Sequence, residues 1–566
     1  MEMNMKKNIL LIAGAAIGIL SVMSSCGKML EVTPPNSITE EQVQDLMING
    51  DDATKQKIMT AIAAPMIRYF NYANIQYTTG AAAPMVHLYQ GINWARGLQG
   101  NDIAIGADQS QDHLAGKAYY DFTVNFTLES DYSNYAHWFG YAYAINQANM
   151  LLGYMTKDAA ASNNLYKDGR ARGLLVRAFS YMSLMEEYQD AYLQGGSSKL
   201  GMSLYDTYDP GQEPIARSTA EETYSFIKAD INEAISLLSS AGVGYTAGYD
   251  NLEDFDLGLA NFLLARVSLW TGDYTTCINA CNAIINSGAY SFIAPENWGG
   301  RNTGSWTEKD ENNCVQIEML PENNAFTSLQ KNPEVILGYK LTSSYANTTI
   351  FSLANPFCGY SGSGTMPRID DRLYNKINDN DCRKDAFRAE KIGDYAYATL
   401  VHELPSYVAM KFAATYGLNN AGNGHETKAT AASQEETKFR VSEVYLMLAE
   451  AQNASGNASA AKTTLNDLLA ARTKEGAETL TCDNYGNNSD LTEFIRLQWR
   501  IEMWGENGRE YFNNKRWGVD VNRSGSTVHK ELGKDGVVYS YTKMTCQIPD
   551  KETQTNKLCE KNTLAQ

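Results

Sequence analysis

Asn93, Trp94, Arg96, Asn101 and Asp102 place an aromatic ring and several hydrogen-bonding groups within one short stretch. That combination suits a neutral, polyhydroxylated ligand, whose C–H faces pack on a ring while its hydroxyls pair with amides, carboxylates and guanidinium groups. Trp298 and Trp306 offer further stacking platforms and Tyr360 a weaker one. Each Trp can equally serve to anchor its own loop. A second group of residues suggests catalysis at first sight: Arg440, Glu443, Glu450, Arg500, Glu502, Glu506 and Arg509. Glycoside hydrolysis does need two carboxylates flanking the scissile bond. Glu443 and Glu450, however, lie two turns apart along one helix, where they suit ion pairs with arginines of a neighbouring helix. No HExxH, GxSxG or P-loop pattern is present. His87, His113, His137, His402, His425 and His529 are isolated, without ligand spacing. Cys277 and Cys281 are i, i+4 on a predicted helix with no histidine pair nearby, which reads as a buried small-residue face rather than a metal site. The expectation is a binding protein with no catalytic residue, metal or cofactor.

The elements that must position these groups are mostly helical. In Lys438–Thr473, Val441, Val444, Tyr445, Leu448 and Ala451 recur at helical period, and Ala458, Ala461, Leu465, Leu468 and Leu469 repeat the device. Gly456 stands where a left-handed cap ends the first helix, and Asn457 caps the second. This is a hairpin of the tetratricopeptide type, which cannot bury its face alone and must stack on others. Asp131–Met155 with Asp168–Tyr192 make a second hairpin. Leu257–Trp270 with Tyr274–Ile285 make a third, around Thr271-Gly272-Asp273. Ser218–Leu238 is a helix opened by the capping-box pattern Ser218-Thr219-Ala220-Glu221. Gln42–Asn71 reads as one or two helices broken at Pro65, Asp490–Gly505 as a further helix, and Glu334–Leu341 as strand-like. Residues 78–130 and 288–437 lack a sustained period and read as loop insertions, and Gly508–Gln566 as mostly irregular. The predicted fold is mainly α, a scaffold of helical hairpins near 131–192, 218–287 and 438–505 within one domain, 41–566. Recognition is expected on the loops that the scaffold carries.

Composition narrows the ligand class. The 566 residues carry a formal net charge of −18, with 44% hydrophobic and 20% charged residues, among them 35 tyrosines and 8 tryptophans. Nucleic acid requires clustered Lys and Arg, so this balance excludes it as a partner. At the N-terminus, Lys6 and Lys7 precede the apolar run Ile9–Val22, which is too short to read as a membrane span. Ser24-Ser25-Cys26 follows, resembling a bacterial lipoprotein signal cleaved before Cys26, whose thiol is then acylated. Residues 1–25 are accordingly read as a signal peptide and 26–40 as a lipidated tether to the membrane.

Four stretches together resemble the SusD/RagB family of outer-membrane lipoproteins. Arg177-Ala178-Phe179-Ser180-Tyr181, running on to Glu187-Tyr188, resembles its RAFYYF helix. Leu259–Tyr290 resembles its LLARVYLYTGDYEKA repeat, and Arg440–Arg472 its RYAEVLLLYAEALNE hairpin. Phe494–Gly518 resembles its ERR.EL..EG.R..DL.RWG segment, although Met503 and Asn507 depart from that pattern, and Gln189-Asp190 stands where GD is common. The resemblance covers most of the chain. It implies a SusD-like fold, placement in the outer membrane facing the exterior, and oligosaccharide binding as the cap of a SusC-like TonB-dependent transporter. One branch of the family takes peptides instead; a surface glycoside hydrolase is the remaining alternative.

Overall fold

The computed structural model describes residues 40–70, 95–105, 120–122, 132–161, 163–300, 323–340, 367–390, 406–412, 435–486 and 490–564. Signal segment 1–25, Cys26, the tether up to residue 39, Trp94, Trp306 and Tyr360 lie outside them.

Helices α1 (Glu40–Asn49) and α2 (Asp52–Ala63) open the described chain, and the break expected at Pro65 is a change to 3-10 winding over Ala64–Phe70. The scaffold follows as α3 (Tyr132–Tyr154), α4 (Asn164–Tyr188), α5 (Ala220–Ser240), α6 (Leu257–Thr271) and α7 (Tyr274–Asn286). After the insertion come α8 (Val441–Ala454), α9 (Ala458–Ala471), α10 (Leu491–Glu502) and α11 (Arg509–Trp517). Each of α3 to α9 packs on the next in chain order, and α10 closes on α8. Neighbouring hairpins thus bury one another's apolar stripes in a continuous core that includes Leu175, Met182, Leu263, Cys277, Val444 and Leu465. The hairpin turns follow their sequence signals. Gly456 has φ +82°, a left-handed conformation that a side chain would strain, and Asn457 accepts from the Ala460 N–H at 3.1 Å. Cys277 and Cys281 lie buried with free thiols on the packed face of α7.

Three boundaries differ from expectation. The capping box of α5 uses Thr219 and Glu222, one residue later than Ser218 and Glu221. Ser218 is instead held in a short bridge, its N–H donating to the Met202 carbonyl at 2.9 Å. Lys438–Arg440 belongs to strand β6 (Glu435–Arg440), antiparallel to β2 (Val335–Lys340), rather than to α8. The segment after Gly508, expected to be irregular, begins with α11.

Small strands stitch the insertion to the scaffold. β1 (Ile103–Ala104) pairs with β3 (Arg368–Ile369), β3 with β5 (Val408–Ala409), and β5 with β4 (Phe387–Arg388), while β7 (Val521–Asn522) pairs with β8 (Val538–Tyr539). Where β6 meets α8 and α10 a network of charges is sealed inside the molecule. Arg440, Arg472, Arg383 and Lys411 face Glu334, Glu502, Glu506 and Asp381, so cations and anions balance. Arg440 alone reaches Glu334 at 2.8 Å, Glu502 at 2.6 Å and Glu506 at 2.8 Å. Charges this deep require such partners, because removing one leaves a buried charge uncompensated.

Candidate functional site

The stretch from Ala95 to Ala104 is gripped along its whole length, and the grip comes from three directions. From α4, Glu187 accepts from Arg96 at 2.5 and 3.3 Å, and a third guanidinium N–H of Arg96 reaches Gln99 at 3.0 Å. Burial would raise the Glu187 carboxyl, but Arg96 and His137 outweigh it and hold the group well below the usual carboxylate range. From α10, Arg500 forks onto Asp102 through Nε at 2.9 and 3.1 Å and through a terminal nitrogen. Just after that helix, Trp504 donates its indole N–H to the Asp102 carbonyl at 2.9 Å. From α11, Glu510 accepts the successive backbone N–H groups of Asn101 and Asp102 at 2.6 and 2.9 Å.

The C-terminal segment completes the grip. Arg523 donates to the carbonyls of Leu98, Gly100 and Tyr120 and lies over the Tyr120 ring. The Asn101 side-chain oxygen accepts from the Asn522 N–H at 2.7 Å. His529 Nε2 sits 2.7 Å from the Asn101 carbonyl, which can only accept, so that nitrogen carries the proton and Nδ1 accepts from the Tyr120 hydroxyl at 2.6 Å. Burial lowers the His529 pKa, in keeping with this neutral tautomer. Gly100 is required here: a Cβ on it would meet a Glu510 carboxylate oxygen at 2.0 Å.

The electrostatics single out one group. Glu510 is buried beside the negative Asp102, and these two effects push its carboxyl up to about 7, against the opposing pull of Arg500. Arg500 itself is raised, since Asp102 outweighs the lowering effect of burial.

Arg96, Asn101 and Asp102 were expected at a ligand surface. The structure instead buries all three and commits their groups to the partners above, so in this arrangement they position the loop rather than face solvent. Trp298 is likewise internal, at 1% exposure, its ring edge-on to Phe326 and 4.8 Å from the Lys411 ammonium. It lines the sealed charge network and has no open face. Of the aromatic platforms named from sequence, Trp94, Trp306 and Tyr360 lie outside the described residues.

The charged motif residues behave as ion pairs: Glu443 with Arg266 at 2.6 Å, Glu450 with Arg516 at 2.5 Å, and Arg509 with Glu186 at 3.4 Å. Glu510, Arg523 and His529 were not singled out from sequence as site residues. Their signal is weak, because each acts on a partner about four hundred positions away in the chain. Among the described residues, no group of three or more His, Cys, Asp or Glu is placed to hold a metal ion. Also among them, no helix is long and apolar enough to cross a membrane.

Two family models match the chain, one described as SusD family over residues 368–564 and one as starch-binding associating with outer membrane over residues 75–245. Solved structures match along nearly the whole chain. A SusD superfamily protein from Bacteroides thetaiotaomicron is 19% identical with a TM-score of 0.61, covering 90% of this chain and 99% of that one. A SusD-like carbohydrate binding protein from Bacteroides vulgatus is 18% identical with a TM-score of 0.61, covering 89% and 97%. A laminarin binding SusD-like protein is 16% identical with a TM-score of 0.56, covering 90% and 99%. At these identities the likeness is one of fold. Among curated proteins, none matches the chain.

Proposed function

The chain belongs to the SusD/RagB family, and from that premise we propose that it captures oligosaccharides at the cell surface, without catalysis, for uptake through a SusC-like TonB-dependent transporter. The reading rests on one observation above all. The segment that directly follows Asn93-Trp94 is clamped by Glu187, Arg500, Glu510 and Arg523 into a rigid base. A binding loop with so fixed a root loses less freedom when its ligand arrives.

Trp94 is the proposed stacking face, with Trp306 and Tyr360 as further platforms from the later insertion. Carbohydrate is favoured over peptide by this aromatic and amide-rich loop composition, and by the names of the similar proteins, which are described as carbohydrate binding and laminarin binding. The matched model described as associating with outer membrane supports placement there, with acylation of Cys26 as the proposed anchor and the exterior as the side faced. A printed array of glycans and peptides, probed with the purified protein, tests the reading. Binding to a set of glycans is expected. Binding to peptides alone would replace the substrate class, and release of shortened products would overturn the non-catalytic reading.

A further inference from the structure

A cleft of about 300 Å³ opens between α3, α4, the loop after Met202 and the short helix Asp550–Thr555. It shares no lining residue with the clamp on residues 95–104. Its floor is apolar: Trp138, Ala142, Ile145, Leu184 and Met202. Its rim is polar, with Asn146, Thr207, Asp209, Gln212 and Glu552, and it contains neither Lys nor Arg.

The walls are built rather than incidental. Asn149 donates to the Tyr205 carbonyl at 2.9 Å, and the Tyr181 hydroxyl accepts from the Tyr205 N–H at 2.8 Å. Arg177, itself forked onto Asp230, donates to the Asp206 carbonyl at 2.8 Å. The loop is therefore stapled to α3 and α4 through the backbone groups of Tyr205 and Asp206. On the opposite side Glu552 accepts from the Trp138 indole at 3.1 Å, and Asn556 donates to the Ile215 carbonyl at 2.9 Å.

Against these satisfied groups, the side-chain amides of Asn146 and Gln212 stand unspent, with no hydrogen bond among the described residues. We propose that this cleft is a second binding site, for a single neutral sugar ring. An apolar floor takes the C–H face of such a ring, and two free amides with two carboxylates at the rim match its hydroxyls. The absence of any cation from the rim and the presence of Asp209 and Glu552 exclude phosphorylated or acidic sugars. The volume lies at the lower end of small-ligand pockets, which sets one ring rather than a chain. The site sits on the rigid helices of the scaffold, so its occupant is recognised independently of the loop that carries Trp94.

The experiment titrates the full chain, solubilised in detergent, with D-glucose, D-galactose, D-mannose and N-acetylglucosamine, and with lysine amide, by calorimetry or ligand-observed NMR. At least one neutral sugar is expected to bind. Ala142→Trp, which fills the floor, and the pair Asn146→Ala with Gln212→Ala should each weaken that binding by about tenfold or more. Asn146 and Gln212 are exposed, so their variant keeps the unfolding midpoint and decides the matter if Ala142→Trp misfolds. Trp94→Ala should leave this binding unchanged, whereas it impairs the oligosaccharide capture proposed above, and the two readings therefore fail separately. Failure of every sugar to bind, preference for lysine amide, or a loss confined to Trp94→Ala would each overturn the second site.

Discussion

Glu510 holds two successive backbone N–H groups at the root of the proposed binding loop, and its ionisation is a measurable property of that root. It is faced by Asp102, Arg500 and Arg523. In the fold its carboxyl titrates near 7, against a usual value of 4.5. Between these values the native state keeps a proton that the unfolded chain has released. The contribution to stability is therefore fully present below about pH 4.5 and is lost as pH rises through about 7. Relative to Glu510→Gln, the parent should lose on the order of 3 kcal/mol across that window, read from urea midpoints at each pH. Parallel curves for the two proteins would show that the carboxyl is already ionised. Trp94→Ala is the complementary change: oligosaccharide affinity should drop by at least roughly fivefold to tenfold in calorimetry, with the unfolding transition nearly unmoved. A collapse in stability would make Trp94 a loop anchor instead. At this scale the sequence was a partial guide. Arg96 and Asp102 look like ligand contacts when read locally, because the groups that neutralise them lie 91 and 398 positions away.

The hairpins were legible because their information is local. Apolar positions at helical period, with Gly456 and Asn457 between them, place α8 and α9 to within a few residues. Leu448 lies in that stripe at 4% exposure, so Leu448→Asp should destabilise the protein by several kcal/mol through burial of an unpaired carboxylate; an unchanged denaturation midpoint would show the stripe to be exposed. The off-by-one start of α5 has a simple cause. Ser-Thr-Ala-Glu-Glu fits the capping-box pattern in two registers, and the bridge from Ser218 to Met202 selects the later one. Helix α11 was missed for a different reason. Its buried residues include Tyr511 and Phe512, but Arg509, Asn513, Asn514, Lys515 and Arg516 are buried beside them, so polar side chains interrupt the apolar period. It is instead held by contacts such as Lys515 Nζ to the Glu186 carbonyl at 2.7 Å.

At the scale of the whole molecule, the anchor and the partner make one prediction each. Cys26→Ser should shift the protein from the membrane to the soluble fraction and abolish labelling by a palmitate analogue; retention with the membrane would refute the lipid anchor. Gentle solubilisation of membranes carrying the parent should recover a large barrel protein in near-equal amount, and recovery of the chain alone across growth conditions would refute the partnership. The sealed charge network bears on a further property, the order in which the chain acquires its structure. Each hairpin closes over a short span and can form early, but Arg440 meets Glu334 across 106 positions and Arg472 meets it across 138. Such distant pairings form only after the long intervening loops have closed, late on the folding path. Arg440→Met should therefore accelerate unfolding steeply while leaving the refolding rate almost untouched, as stopped-flow measurements in urea would reveal. The network thereby acts as a latch on escape from the native state, setting how long the folded protein endures once it has formed.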